Sequence, residues 1–408
     1  EMCIRDRDMN EQKPLIWLSS AHFINDVYTG MLNPIMPFIA LKLGISMAIA
    51  TVIVSLSHIF ASLLQPIFGF FADNIRRRAF IFWGLIATSI FISFAPSANH
   101  VLTLLIFIIL GSLGSSFFHP QALGFAVRFT TGDAVRNMGI FIGLGTLGFS
   151  FGPIVSAAVT QYVGLHSMPF LAIPGLFVAS LMFLFVPKIS NSTEAKTHHD
   201  FIKTFRDIFS NRRLNILNLI AILKTLVTTS SSILLPFLWR NMGYKPFKIG
   251  VALFAFSFAA GIGSFISRSV EQRLGARAVL AFSMVSTFPL MILFALSYQI
   301  FPLVSFGVFV LMGFCTGMAM PVTMVMAQST LPQYKSIIGG FINGFSWGIV
   351  AIALSFVGFV AQAKGIIPVL LVITLIPAVA SYPVLNKLFK NVHNLSLIHI
   401  SEPTRRVV

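Results

Sequence analysis

Twelve apolar runs follow one another along this chain with few charges inside them. Most have about the twenty residues a helix needs to cross the roughly 30 Å hydrocarbon core of a bilayer, where backbone polar groups must be satisfied within the segment. Strands of a membrane barrel would alternate over segments of about ten residues instead. The runs predict helices over 15–40, 48–72, 79–96, 101–127, 136–163, 168–186, 214–240, 248–268, 277–297, 301–329, 336–362 and 366–386. Composition agrees: the chain is 56% hydrophobic and 10% charged, with a mean hydropathy of +0.88, where a soluble domain carries about 25% charge. An all-α polytopic membrane protein is the expected fold class.

Connections between runs are short except one. Residues 187–213 form a polar linker holding Lys188, Lys196, Lys203, Arg206, Arg212 and Arg213, and it divides the chain into six runs and six. The halves repeat. Met36-Pro37-Phe38 and Leu43-Gly44 return as Leu235-Pro236-Phe237 and Met242-Gly243, at an offset of 199 residues, and Gly148 and Gly152 return as Gly344 and Gly348, at 196. Two similar six-helix bundles around a shared site are the architecture of a rocking transporter. The domains expected are therefore a bundle over 9–186, the linker, and a bundle over 214–394. Glu1–Asp8 and Leu395–Val408 depart from the pattern and resemble translated sequencing-adapter read-through, so the native chain is expected to run from Met9 to about Asn394. The first run is long and lacks a small-residue cleavage site, so it reads as a span and not as a signal peptide.

Lysine and arginine set the orientation. With the N-terminus inside, the inner segments hold eighteen (among them Lys13, Arg76–Arg78, Arg128, Arg136 and the six of the linker) and the outer segments five: Lys42, Arg240, Lys245, Lys248 and Lys364. Both termini are expected in the cytoplasm of a bacterium whose inner membrane holds the chain. The net charge of +16 is then a topology signal, and there is no soluble domain to bind nucleic acid.

One span carries an acid. Asp26 lies in the first run, four residues after His22 and on the same helical face, and all other acids between Met9 and Asn394 fall in the inner loops or at their helix ends. A charged side chain at the bilayer centre costs at least about 2.5–3.5 kcal/mol, so an intramembrane acid points to a proton or ion site. Asp26 is the candidate proton carrier, with His22 and with His119 of span four as assistants. A structural acid bonded to Asn25, His22 or another helix is the competing reading. Lys224, ten residues into span seven, is by the repeat offset the mate of Asn25. It is expected either to pair with Asp26 across a central cavity or to receive an anionic substrate, the alternative being to snorkel toward the inner surface. Asn25 in span one, Gln328 and Thr323 in span ten, and Asn343 and Trp347 in span eleven are candidate cavity residues. His58 in span two reads as structural.

Longer motifs carry a resemblance. Gly69-Phe-Phe-Ala-Asp73-Asn-Ile-Arg76-Arg77-Arg78 resembles the loop signature of the major facilitator superfamily, matching at Gly69, Asp73, Arg77 and Arg78 and departing at Arg76, where the family has a second glycine. The resemblance implies a gating loop that locks the halves in one state; a solvated basic loop that fixes topology is the other reading. Gly148-x-x-x-Gly152-Pro153-x-x-Ser156-Ala157 resembles the span-five motif of drug–proton antiporters, with small residues replacing its last two glycines; ordinary tight helix packing would also use such a run. His22-x-x-x-Asp26-x-x-x-Gly30 with Pro34 and Pro37, and Gly114-Ser-Ser-Phe-Phe-His119-Pro120 in span four, resemble the fosmidomycin resistance branch, whose members are taken to export drugs.

What the resemblance implies is a secondary transporter of twelve helices in two pseudo-symmetric bundles, exporting a small drug-like or phosphonate compound in exchange for protons by alternating access. Uptake of a small organic anion or sugar with protons is the alternative within that class. A membrane receptor or intramembrane enzyme is the alternative outside it, and the repeats and gating motif argue against both. No metal-ligand spacing, nucleotide loop or soluble catalytic constellation appears, so no metal, cofactor or enzymatic activity is expected. The expected partners are the substrate, protons and the lipid bilayer, for a monomer.

Overall fold

The computed structural model describes residues 2–65, 67–68, 79–128, 134–186, 201–331 and 335–390. Every regular element in them is helical. In chain order these are α1 (Met2–Gly30), α2 (Leu32–Leu43), α3 (Met47–Ser62), α4 (Ala79–Phe94), α5 (Val101–Arg128), α6 (Ala134–Tyr162), α7 (Ala172–Phe185), α8 (Phe201–Ser210), α9 (Arg212–Asn241) and α10 (Pro246–Leu274). They continue with α11 (Ala276–Val285), α12 (Thr287–Ser297), α13 (Pro302–Gly317), α14 (Ala319–Gln328), α15 (Lys335–Gly340), α16 (Ser346–Lys364) and α17 (Ile366–Phe389). Among the described residues ten helical stretches are long and apolar enough to cross a membrane, and α3 is a shorter apolar helix. The α1–α2 pair completes the expected twelve. The loop residues Gly69, Asp73, Arg77 and Arg78, linker residues 187–200 and the tail beyond 390 lie outside the described residues.

Three breaks within spans are each followed by a proline, although Pro120, Pro153 and Pro236 sit inside helices that run on unbroken. Proline has no N–H to give the carbonyl four residues back. Pro34, Pro289 and Pro321 each follow a break by three residues, at Met31, Ser286 and Met318. Carbonyls at two of these breaks are satisfied by a serine of a neighbouring helix: Ser156 Oγ donates to Met31 O, Ser264 Oγ to Gly317 O and Ser267 Oγ to Met318 O, each at 2.8 Å. A break inside lipid survives only when such partners exist.

The repeat is present in the backbone. Gly44 and Gly243 both take positive φ, 65° and 82°, turning the chain after the first span of each half, where an L side chain would be strained. The halves also exchange caps. Gln362 Oε1 accepts from Ala48 N at 2.9 Å, and Gln161 Oε1 accepts from Phe247 N at 3.1 Å. Each half thereby closes a free N–H at a helix start of the other.

The core has two ends of different character. Away from α8, one apolar cluster runs through both halves, joining Ile35, Met36 and Ile53 to Leu234, Leu253, Phe309 and Leu354. Toward α8, the first half has its own cluster around Leu18, Leu85, Phe118 and Phe141, and the second half another around Leu217, Leu280, Val322 and Ile342. Among the described residues one apolar cluster thus spans both halves at the far end, and each half has its own cluster toward the α8 end, where Gly344 and Gly348 meet Ser62 and Leu63.

Candidate functional site

The candidate ion site is assembled from α1, α5 and α6. On α1, Asp26 and His22 sit one turn apart, with Asp26 Oδ2 3.3 Å from His22 Nε2. On α5, His119 brings its Nε2 to 3.0 Å from Asp26 Oδ1. Asn25 Nδ2 also donates to Oδ1, at 3.1 Å, and reaches Ser115 Oγ at 3.4 Å. The far nitrogens of both imidazoles meet backbone carbonyls: His22 Nδ1 lies 3.0 Å from Phe141 O, and His119 Nδ1 lies 2.9 Å from Ser115 O. His22 stacks on Phe141 with ring centroids 4.3 Å apart. Only 14% of the Asp26 side chain is exposed, but 26% of His119 is, so the cluster is walled by protein and open on the histidine side. The sequence expectation of His22, Asp26 and His119 as one unit thus corresponds to one contiguous site.

Alpha-6 supports this site through its glycines. A Cβ on Gly145 would strike the His22 ring, one on Gly148 the Phe23 carbonyl, and one on Gly152 the Val27 carbonyl and Gly30. The motif that includes Gly148, Gly152, Pro153 and Ser156 is therefore the surface on which the acid-bearing helix lies. On its other side the same stretch meets the second half, since a Cβ on Gly250 would strike Pro153 O and Ala157.

The remaining candidates are dispersed. The ammonium of Lys224, half-buried in α9, makes no hydrogen bond or ion pair among the described residues, and Asp26 is held by the histidines. The expected Lys224–Asp26 pair is thus absent: two imidazoles on the acid's own half supply the partners that the sequence reading sought across the cavity. Trp347 on α16 reaches into the first half, 5.5 Å from the His58 ring and 6.4 Å from Phe149 by centroids. Asn343 is exposed on a π-helical turn, Phe341–Phe345. Gln328 is half-buried beside Gly339. Thr323 is buried and donates to Ala319 O of its own helix, which takes it out of the cavity set. Sequence reading missed Asn218 and Ser346, buried and bonded across α9 and α16 at 2.8 Å; nothing in their spacing distinguishes them from other polar residues in spans. A separate cavity of about 720 Å³ lies at the far end, against Gly44, Arg240, Tyr298 and Gln362, and contains none of the expected site residues.

The donor atoms of His22, Asp26 and His119 all lie within 4.8 Å of one another, close enough to hold a metal ion. Sequence spacing gave no hint of this, because His119 is 93 residues from Asp26. The His119 Nε2–Asp26 Oδ1 contact at 3.0 Å is also a hydrogen bond, so the same atoms can share protons.

A family model described as Major Facilitator Superfamily matches residues 18–355. The chain belongs to the Major Facilitator Superfamily. It is a multi-pass membrane transporter of that family, and not an enzyme. Among curated relatives, it is 24% identical to an uncharacterized MFS-type transporter, YfnC, of Bacillus subtilis (strain 168), over 89% of this chain and 90% of the relative. It is also 24% identical to the fosmidomycin resistance protein of Escherichia coli (strain K12), over 86% of each. Among solved structures, the nucleoside transporter NupG matches with a TM-score of 0.69 at 15% identity, over 92% of this chain and 99% of that one. A bacterial homologue of the human lysosomal transporter Spinster, in an inward-facing and unoccupied conformation, matches with a TM-score of 0.67 at 15% identity, over 93% and 98%. Those structures share the superfamily's fold with this chain.

Proposed function

We propose that this transporter exports a small drug-like or phosphonate compound in exchange for protons. The observation that carries the reading is Asp26, an intramembrane acid held between His22 and His119 from two helices and open beside His119. A carboxylate in a largely apolar bundle is costly unless it serves ion movement or is fully paired, and flanking imidazoles give the proton a path. Lys224 on the other half supplies a cation without an acid partner, suited to a phosphonate or carboxylate. The likeness to a fosmidomycin resistance protein supports this substrate class. The excess of lysine and arginine on one side supports both termini in the cytoplasm, and the bacterial relatives support a bacterial inner membrane. With that orientation, the α8 end faces the cytoplasm and the far end, with its shared cluster, faces out. The loop at Gly69, Asp73, Arg77 and Arg78 is proposed as the gate, and the monomer as the working unit.

The test is drug tolerance in a bacterium stripped of its own efflux pumps, expressing wild type or Asp26→Asn at equal membrane abundance. Wild type is expected to raise tolerance to fosmidomycin and the variant to lose it. Equal protection by both would remove Asp26 from coupling. The unpaired Lys224 also favours a second reading, proton-coupled uptake of an organic anion. A pH jump across vesicles separates the two, because solute accumulates in the lumen when the lumen is acidic for an antiporter and when the exterior is acidic for a symporter.

A further inference from the structure

His22, Asp26 and His119 are oriented as metal ligands are. Both imidazoles turn Nε2 toward the carboxylate, His22 at 3.3 Å from Oδ2 and His119 at 3.0 Å from Oδ1. One donor atom from each residue lies within 4.8 Å of the other two. Bonds of about 2.0–2.1 Å to a tetrahedral ion set neighbouring ligand atoms about 3.3 Å apart, so the ligands need only close slightly. Each ligand also has a supporting partner. His22 Nδ1 lies 3.0 Å from Phe141 O, and His119 Nδ1 lies 2.9 Å from Ser115 O and 3.2 Å from Ser115 Oγ. The tautomer with hydrogen on Nδ1 keeps a carbonyl acceptor for both rings and frees both Nε2 lone pairs for an ion. Asn25, fully buried, donates from Nδ2 to Asp26 Oδ1 at 3.1 Å. Histidines and carboxylates that ligate metals are oriented by outer partners of this kind.

We propose that His22, Asp26 and His119 bind a divalent transition-metal ion of the zinc type, with solvent as the fourth ligand. The donor set chooses the class. Two imidazole nitrogens and one carboxylate suit zinc, cobalt or nickel, whereas magnesium and calcium prefer shells of oxygen. Two histidines and a carboxylate are also the protein ligands of zinc sites that keep an open position. Here the opening lies beside His119, whose side chain is 26% exposed against 14% for Asp26 and 10% for His22. Two of the ligands sit one turn apart on α1 and the third on α5, so a bound ion ties α5 to α1. The glycine face of α6 backs the site, since a Cβ on Gly145 would meet Cε1, Nε2 and Nδ1 of His22. Binding of the ion depends neither on the drug nor on the direction of transport.

The experiment titrates cobalt(II) into the purified, untagged full chain in lipid nanodiscs, after treatment with a chelator, and follows visible absorption. One equivalent per chain is expected to give the intense bands of a four-coordinate ion, and zinc is expected to bleach them. His119→Gln and Asp26→Asn should each weaken binding at least about tenfold, the smallest loss seen when even an outer partner is removed. His198→Gln with His199→Gln, which removes the adjacent histidines of the linker, should leave the titration unchanged. The proposal is overturned by an absence of bands, by a loss below about tenfold in either ligand variant, or by bands that vanish with the linker pair. Where a ligand variant fails to fold, X-ray absorption of the cobalt-loaded chain carrying the two linker changes decides. Two imidazoles in the metal's shell are expected there, and one or none overturns the assignment. Metal binding is read without substrate or gradient, so it can fail while export stands, and it can hold in a protein that exports no drug.

Discussion

Gly145→Ala tests whether α6 positions the ion site. The added methyl falls against Cε1, Nε2 and Nδ1 of His22, and that ring has little room to yield. It is stacked on Phe141, edge-on to His119 at 5.3 Å between centroids, and tied at both nitrogens. Either α6 backs away from α1 or the ring swings off Asp26. Overpacking of a filled interior costs about 1–3 kcal/mol. A lost hydrogen bond to a charged group costs about 1.5–3 kcal/mol, and the lower figure alone is about tenfold in a rate or equilibrium. The control is Gly143→Ala, two residues away on the same helix, where nothing lies within 4 Å; it should be neutral or gain up to about 1 kcal/mol from helix propensity. Chemical denaturation of both purified variants, with drug tolerance in the pump-deficient host, gives the comparison. Gly145→Ala should be less stable and at least about tenfold less active, with Gly143→Ala at or above wild type on both measures. If the two alanine variants behave alike, the glycines of α6 do not set the position of His22.

Lys224→Gln should abolish transport of an anionic compound and leave stability unchanged or raised, since it removes an unpaired charge from a half-buried position; unchanged transport would dismiss the anion-receiving role. Ser156→Ala should cost about 1 kcal/mol by leaving Met31 O without its donor, read by denaturation, with Ser180→Ala on the exposed face as the neutral comparison. Gln161→Ala with Gln362→Ala removes both exchanged caps at the far end. At about 1 kcal/mol each, the pair should open that end and raise thiol-reagent labelling of Tyr298→Cys more than about fivefold, where unchanged labelling would show that the caps do not hold the halves together.

Helical class and span positions were legible because apolar length is a local signal. The unit of His22, Asp26 and His119 was legible only in part. Spacing places His22 and Asp26 on one face, but only the fold brings α5 beside α1 and shows carbonyls of Phe141 and Ser115 at the far nitrogens. Of the two roles expected for Lys224, pairing with Asp26 is not seen, because His22 on the same helix and His119, 93 residues away on α5, hold the acid, and only the first of these is visible as a local spacing. The breaks at Met31, Ser286 and Met318 were not read from the sequence, because other prolines lie in unbroken helices, and the serines that satisfy two of the breaks sit on other helices.

The repeat shows what the two halves share and where they have diverged. Gly44 and Gly243 make the same turn, and Gln161 and Gln362 cap each other's half in the same way, so the far end is built symmetrically. The glycines at the 196-residue offset do not share a task. Gly148 and Gly152 receive α1 of their own half, whereas Gly344 and Gly348 receive Ser62 and Leu63 of the other half. Span five therefore clasps the ion-bearing helix within its bundle, while span eleven braces one bundle against its neighbour. The surroundings of Asp26 thus belong to the first half and meet the second on the face of α6 where Pro153 and Ala157 touch Gly250. That contact places the ion site and the inter-bundle joint on the same helix, which is the connection a transporter needs if a change at Asp26 is to move one half against the other.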